Sequence, residues 1–369
     1  MPATLRQWVY AQPMADILGP EQFALRELPI PELQAGQALV RVKLINIHSA
    51  TRARMANGST KLGDTDYSNY ACAEIVASRD AAFKEGDTIA CQSGWQDYQI
   101  ISSADKSVGY GPPSELLKAL NGTNSQWCYP FRPAMVKMWP PEVLMEMFGT
   151  SGMTAYFGLR ECGPLMPRDH VAVAGTTGSV GSIAAQLAKI TGSRVVGFAG
   201  GKERCEWVLD TLGIDQCIDY RASDFEAQLK AAFPEGIDVF CDGVGGAFTE
   251  TLTQQMNRHG RLFCYGSAAA YYADKVSTTR GRLSVRAAFG ISEKVEALLK
   301  EKHIKSSAWI VDEFYHERLS AEDELSRLLH NGSLKAINNV VEGFDKLPEA
   351  IIGLYKNSRA GKLQVRFAA

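Results

Sequence analysis

The sequence predicts an α/β protein of two domains, one β-rich and one built on a doubly wound parallel sheet. Three observations predict it. From Val143 onward, short apolar strands alternate with helical stretches of about a dozen residues, which is the pattern of a parallel sheet wrapped by helices. The first third instead carries alternating and β-branched runs separated by turn residues. A chain of 369 residues is also long enough for two cores.

The elements follow in order. Residues 35–49 alternate after a Pro/Gly-rich approach, and residues 71–78, 87–93 and 97–103 are further short strands. From about residue 110 the text is interrupted by Pro112, Pro113, Pro130, Pro133, Pro140 and Pro141, a loop-rich connection with one short helix over 114–120. Residues 144–163 read as helix and residues 170–175 as a short apolar strand. Residues 179–192 form a helix with Val180, Ile183, Ala184 and Leu187 on one face and Gly192 closing it. Strand 193–200 and helix 202–213 come next, then strands at 216–220, 237–242 and 260–267 with helices between. After residue 334 the order is strand, helix, strand. No repeat or low-complexity segment is present.

Composition excludes several function classes. Hydrophobic residues at 46% with 22% charged exclude disorder as the main state. Lys plus Arg is 39 against 41 Asp plus Glu, so the net charge of −2 lacks the basic footprint of a nucleic-acid binder. No apolar run reaches the ~20 residues of a membrane span, and the N-terminus has no signal-type apolar core, so a cytoplasmic protein that binds no membrane is expected. The eight cysteines contain no CxxC pair and are expected as reduced, buried thiols.

The sharpest motif is the turn after the strand at 170–175. Gly175, Gly178 and Gly181 are spaced G-x-x-G-x-x-G, with Thr177, Ser179 and Val180 between them. Backbone without side chains can approach a pyrophosphate there, and the following helix presents free N–H groups and a positive dipole end. A glycine triplet alone is weak, but here it joins a strand to a helix inside a βαβ unit. The end of the next strand selects the cofactor. An NAD site places an acid there for the ribose 2′-OH. Here Gly200 and Gly201 lead to Lys202, with Arg204 nearby, which suits the 2′-phosphate of NADP(H). No metal site is expected: the β-rich third offers only Cys72, Cys91 and His48, short of three converging ligands.

The run Gly152-Met153-Thr154-Ala155-Tyr156-Phe157-Gly158-Leu159, with the glycine triplet some twenty residues on, resembles the zinc-independent medium-chain dehydrogenase/reductases. More narrowly it resembles the branch of prostaglandin reductases, plant double-bond reductases and bacterial curcumin reductase, and the likeness runs over nearly the whole chain. The resemblance implies a GroES-like catalytic domain from residues 1–146 and 335–369, with a Rossmann domain of residues 147–334 between them. It implies NADPH-dependent reduction of the C=C bond of an α,β-unsaturated ketone or aldehyde, and a homodimer. It places Lys202 and Tyr220 on the 2′-phosphate, Met153 and Thr154 near the nicotinamide, Tyr265 on the cofactor, and Tyr271 beside nicotinamide or substrate. Three positions depart from the branch. Ala50 replaces its substrate tyrosine, so His48 is a candidate polar group for the pocket, the alternative being a buried structural histidine. Tyr67 and Tyr70 stand where the branch has a glycine-rich turn, and line the cleft instead. Arg359 replaces an asparagine that contacts cofactor. Tyr272 is expected in the cleft wall. A quinone oxidoreductase is the rival enzyme, a non-catalytic NADPH-binding sensor is the rival from another class, and a zinc alcohol dehydrogenase is a third reading.

Overall fold

The computed structural model describes residues 2–14, 18–56, 58, 60–104, 128–269, 291–306, 311–357 and 359–367. The expected helix over 114–120 lies outside them, as do Tyr271 and Tyr272.

The N-terminal part begins with a hairpin of β1 (Thr4–Tyr10) and β2 (Phe23–Pro29). Next come β3 (Ala38–Asn46), α1 (Ala50–Ala56), β4 (Asn69–Ser78), β5 (Thr88–Ser93), β6 (Tyr98–Ile101) and β7 (Cys128–Pro130). α2 (Pro133–Met138), α3 (Pro141–Met147) and α4 (Thr150–Cys162) follow. The stretch expected as one helix over 144–163 is therefore two. Gly149 leaves the helical region at φ −94°, ψ −160°, and the Asn46 side chain donates to the Met145 carbonyl at 3.0 Å, satisfying a C-terminal acceptor of α3.

The second half contains β8 (His170–Val173), α5 (Ser179–Ile190), β9 (Arg194–Ala199), α6 (Lys202–Leu212), β10 (Gln216–Asp219), α7 (Phe225–Ala232), β11 (Ile237–Asp242), α8 (Gly246–Gln254), β12 (Met256–Cys264), α9 (Glu293–Glu301) and β13 (Lys305–Ser306). These strands form one parallel sheet in the order β10-β9-β8-β11-β12-β13. This is the doubly wound order of a dinucleotide-binding fold, and the order reverses between β8 and β11. Val171, Val195, Val196, Val239, Phe240 and Cys241 are buried, because helices cover both faces of the sheet.

The chain then runs through α10 (Arg318–His330) and returns to the first half as β14 (Asn338–Glu342), α11 (Leu347–Asn357) and β15 (Lys362–Arg366). β14 and β15 pair with each other in parallel, and β15 joins β3 antiparallel. The β-rich sheet thus runs β14-β15-β3-β4-β5-β7, with β6 also on β3. Strands from both ends of the chain share it, as the GroES-like arrangement requires.

Candidate active site

The glycine turn sits at the C-terminal end of β8, at the point where the strand order reverses. Gly175 has φ +63°, a conformation open to glycine, and its carbonyl accepts from the Gly178 N–H at 2.8 Å. A Cβ on Gly181 would collide with the Gly175 carbonyl, so helix and strand approach only because that side chain is absent. Thr176 anchors the turn: its hydroxyl donates to the Val173 carbonyl at 2.6 Å and accepts from the Phe198 N–H at 2.9 Å. Gly178 caps α5, and the Ser179 hydroxyl beside it is buried with no hydrogen-bond partner among the described residues. Thr177 and Val180 are half-buried on this turn, and Gly178 is exposed. A bare backbone cradle, an open helix N-terminus and an orphaned hydroxyl fit a pyrophosphate.

Tyr265 lies beneath the turn. Its hydroxyl donates to the Ala174 carbonyl, and its ring fills the space that side chains on Gly181 and Gly243 would take. That placement gives Tyr265 a supporting role under the cradle.

The second part of the site forms at the ends of β9 and β10. A Cβ on Gly200 would lie 2.8 Å from the Tyr220 hydroxyl and 2.9 Å from Arg221 Nε, so the two side chains converge on this glycine. The Arg221 guanidinium lies 5.5 Å from the Tyr220 ring. Tyr220 in turn meets Phe248 edge-on at 6.1 Å. Asp219 organises the corner by accepting from the N–H groups of Gly201 (2.8 Å) and Arg221 (2.9 Å), which hold its carboxyl below the usual range. Lys202 opens α6 with its side chain 88% exposed, its ammonium 3.7 Å from the Glu206 carboxylate. Arg204 is half-buried one step further along the helix. Arg221 and Asp219 are functional candidates that the motif reading passed over. The signal was a cation directly after Tyr220 and an acid before it.

The third part faces the β-rich half. Met153 is fully buried and Thr154 half-buried on α4, whose first residue, Thr150, carries a buried hydroxyl without a partner among the described residues. His48 follows β3; its Nε2 is shielded from solvent and likewise unpartnered among the described residues. Burial, then the nearby Lys362 ammonium, holds the imidazole well below its ordinary value, so it is neutral at pH 7. Ala50 opens α1 beside it. Tyr70 is buried in β4 with its ring 6.3 Å from the His48 ring. Tyr67 is exposed, its hydroxyl accepting from Gln7 Nε2 at 3.4 Å. Arg359 is exposed ahead of β15. The Gly361 N–H donates to the Thr177 carbonyl at 2.8 Å, joining the C-terminal segment to the glycine turn.

Two family models match the chain: the N-terminal domain of oxidoreductase over residues 6–108 and zinc-binding dehydrogenase over residues 179–315. The chain is 30% identical to prostaglandin reductase 1 of Bos taurus over 346 residues, 93% of each protein. It belongs to the zinc-independent medium-chain dehydrogenase/reductases, in their enone-reductase branch. Within that branch, the NADPH-dependent curcumin reductase of Escherichia coli K12 is 29% identical over 368 residues, covering 98% of this chain and 97% of that one. The crystal structure of CurA from Vibrio vulnificus in complex with NADPH matches with a TM-score of 0.80 at 28% identity, over 99% of both chains. A quinone oxidoreductase from Pseudomonas syringae, at 17% identity and a TM-score of 0.71, shares the fold. Among the described residues, no three His, Cys, Asp or Glu side chains converge as a metal site. Cys72 and Cys91 are core residues on neighbouring strands, and burial pushes the Cys72 thiol up to about 12.

Proposed function

We propose that this protein is an NADPH-dependent reductase of the C=C bond of α,β-unsaturated ketones and aldehydes. The observation that carries this reading is the joining of a bare glycine cradle to a corner where the end of β9 carries no acid and Lys202, Tyr220 and Arg221 gather, on a chain similar along its length to curcumin and prostaglandin reductases. The bound cofactor supplies hydride to the β-carbon of the substrate. The protein supplies placement and electrostatics. Gly175, Thr177, Gly178, Ser179, Val180 and Gly181 would receive the pyrophosphate, with Gly200, Lys202, Tyr220 and Arg221 at the 2′-phosphate and Arg359 as a further cation for phosphate. Met153 and Thr154 would bound the nicotinamide, while Tyr265 supports the turn from below.

As hydride arrives at the β-carbon, negative charge grows on the substrate carbonyl oxygen. Hydrogen-bond donors aimed at that oxygen lower the barrier. We assign this role to Tyr271 and to His48, whose neutral imidazole donates from one nitrogen. Ala50, Tyr67, Tyr70 and Tyr272 would line the substrate pocket, and the small Ala50 would enlarge it. We further propose that residues 1–146 with 335–369 form the catalytic domain and 147–334 the cofactor domain. We take the protein to be a cytoplasmic homodimer, pairing through the outer edge strand β13 of the parallel sheet.

Loss of NADPH absorbance with an alkenal, an aryl enone, a quinone and a saturated aldehyde tests the reading. Turnover of the enones, with the saturated ketone as product, is expected. Turnover of the quinone alone would move the assignment to a quinone oxidoreductase, whose fold this chain shares. Tight NADPH binding without turnover on any acceptor would support a sensor. In Tyr271→Phe, kcat should fall more than KM; an unchanged kcat would leave Tyr271 as a packing residue. Sedimentation equilibrium tests the dimer.

A further inference from the structure

Buried polar side chains fill the seam where α3, β14, β15 and the end of β3 meet. Lys362 opens β15 and is 6% exposed. The residue before it, Gly361, has φ +92° and donates its N–H to the Thr177 carbonyl of the glycine turn at 2.8 Å. Lys362 itself sends Nζ to the Ile47 carbonyl at 3.2 Å, while the Ile47 N–H donates to the Leu363 carbonyl at 3.0 Å. Residue 47 is thus gripped at both its amide and its carbonyl by the start of β15, and His48 is the next residue. On the other side, Glu146 of α3 is fully buried and accepts from Asn338 Nδ2 at 2.8 Å. Gln364 Nε2 donates to Asn46 Oδ1 and to the Glu142 carbonyl, both at 3.0 Å.

We propose that Lys362 is a positioning residue for the reduction: it ties the glycine turn to the segment that carries His48, and so fixes the imidazole relative to the bound cofactor. The inference rests on the NADPH-reductase reading. A buried ammonium is costly to desolvate, and an apolar side chain would serve a purely structural peg at lower cost. What an apolar side chain lacks is the charge. Burial first, and then the cation beside His48, disfavour the imidazolium and keep the ring a neutral hydrogen-bond donor. Burial pushes Lys362 down, to about 8, and Glu146 is the neighbouring charge that holds it up. The other ionisable groups around the seam are Glu142, paired with Arg366 at 2.8 Å, and the Cys72 thiol of β4.

The test compares wild type with Lys362→Met, Lys362→Arg and Glu146→Gln. It reads NADPH affinity by cofactor fluorescence, the His48 resonance by NMR titration, and kcat and KM on an aryl enone against pH. In Lys362→Met, kcat should fall about 10- to 100-fold with the enone KM within a few-fold. NADPH affinity should hold, and the His48 titration should move to higher pH as the nearby cation is lost. Lys362→Arg should restore the His48 titration. Glu146→Gln should leave the His48 titration unmoved, because Glu146 is protonated and Lys362 charged in the pH range where His48 titrates. Wild-type kcat with an unmoved His48 titration in Lys362→Met overturns the proposal. If Lys362→Met does not fold, wild-type kcat with an unmoved His48 titration in Lys362→Gln, which keeps a hydrogen-bond donor without the charge, overturns it instead. NADPH affinity and the His48 titration need no turnover, so failure of enone reduction in the wild type is told apart from failure of this inference.

Discussion

Two cations stand at the proposed cofactor corner: Arg221, whose guanidinium closes on Gly200, and Lys202, exposed at the start of α6. Lys202 is almost free in solvent, so its ion pair with Glu206 contributes little to stability and its charge is available to a ligand. Arg221 is held more firmly, its backbone fixed by Asp219. Removing either should therefore weaken recognition of the 2′-phosphate without disturbing the fold. In Lys202→Ala the KM for NADPH should rise about tenfold or more while that for NADH changes little, a difference set by one charge-assisted contact. Arg221→Ala should act in the same direction. Equal effects on NADPH and NADH in steady-state kinetics would remove both residues from the 2′-phosphate site. Lys202 stands out in the sequence because a cation follows β9 where an NAD site places an acid, and Tyr220 comes through the family resemblance alone. Arg221 does not stand out, because its approach to Gly200 depends on the turn that Asp219 builds. Tyr70 lies buried in β4 with its ring beside His48, since a strand alternates its faces and this residue points inward.

At the scale of elements, the glycine turn is the part where packing and binding cannot be separated. A methyl group on Gly181 would meet the Gly175 carbonyl and the Tyr265 hydroxyl together. Neither can withdraw, because Tyr265 is bonded to Ala174 and the carbonyl belongs to the turn. Gly181→Ala should cost about 1–3 kcal/mol of stability, as overpacking does. It should also reduce NADPH affinity, because α5 must move away from β8. Thermal melts with and without NADPH check this; a normal melting temperature with normal cofactor protection would show that the helix packs less closely than the geometry requires. This turn was readable because its strand is a buried apolar run and its helix has a clean 3.6-residue period. The same signals located β3 to β6 and the other long strands of the parallel sheet. They failed for β13, whose two residues, Lys305 and Ser306, carry no apolar pattern, and for α1, whose seven residues are too few to show a 3.6-residue period. They also merged α3 and α4, because the break at Gly149 is held by Asn46, which is about a hundred residues away in the sequence.

On the scale of the whole molecule, the returning C-terminal strands are sewn to the N-terminal β-rich part through a polar seam, and that seam should make stability depend on pH. Glu146 has its carboxyl pushed up to about 8 by burial, from an ordinary 4.5. The folded chain therefore keeps a proton that the unfolded chain releases. Its contribution to stability is complete below about 4.5 and is lost as pH rises through about 8. Lys362 is pushed the other way, from 10.5 down to about 8. Its contribution is present above 10.5 and lost as pH falls through about 8. Together the two groups leave the seam weakest near pH 8. Glu146→Gln removes one arm of this dependence while its side-chain oxygen can still accept from Asn338. The melting temperature of wild type should fall between pH 4.5 and 8 more steeply than that of Glu146→Gln, so the two curves converge at the acid end and separate toward pH 8, with the variant higher. Melting curves followed by circular dichroism across that window decide it. Parallel curves would mean that Glu146 is solvated in the folded chain, and that the two ends of the chain meet through a wetter and looser seam than these contacts describe.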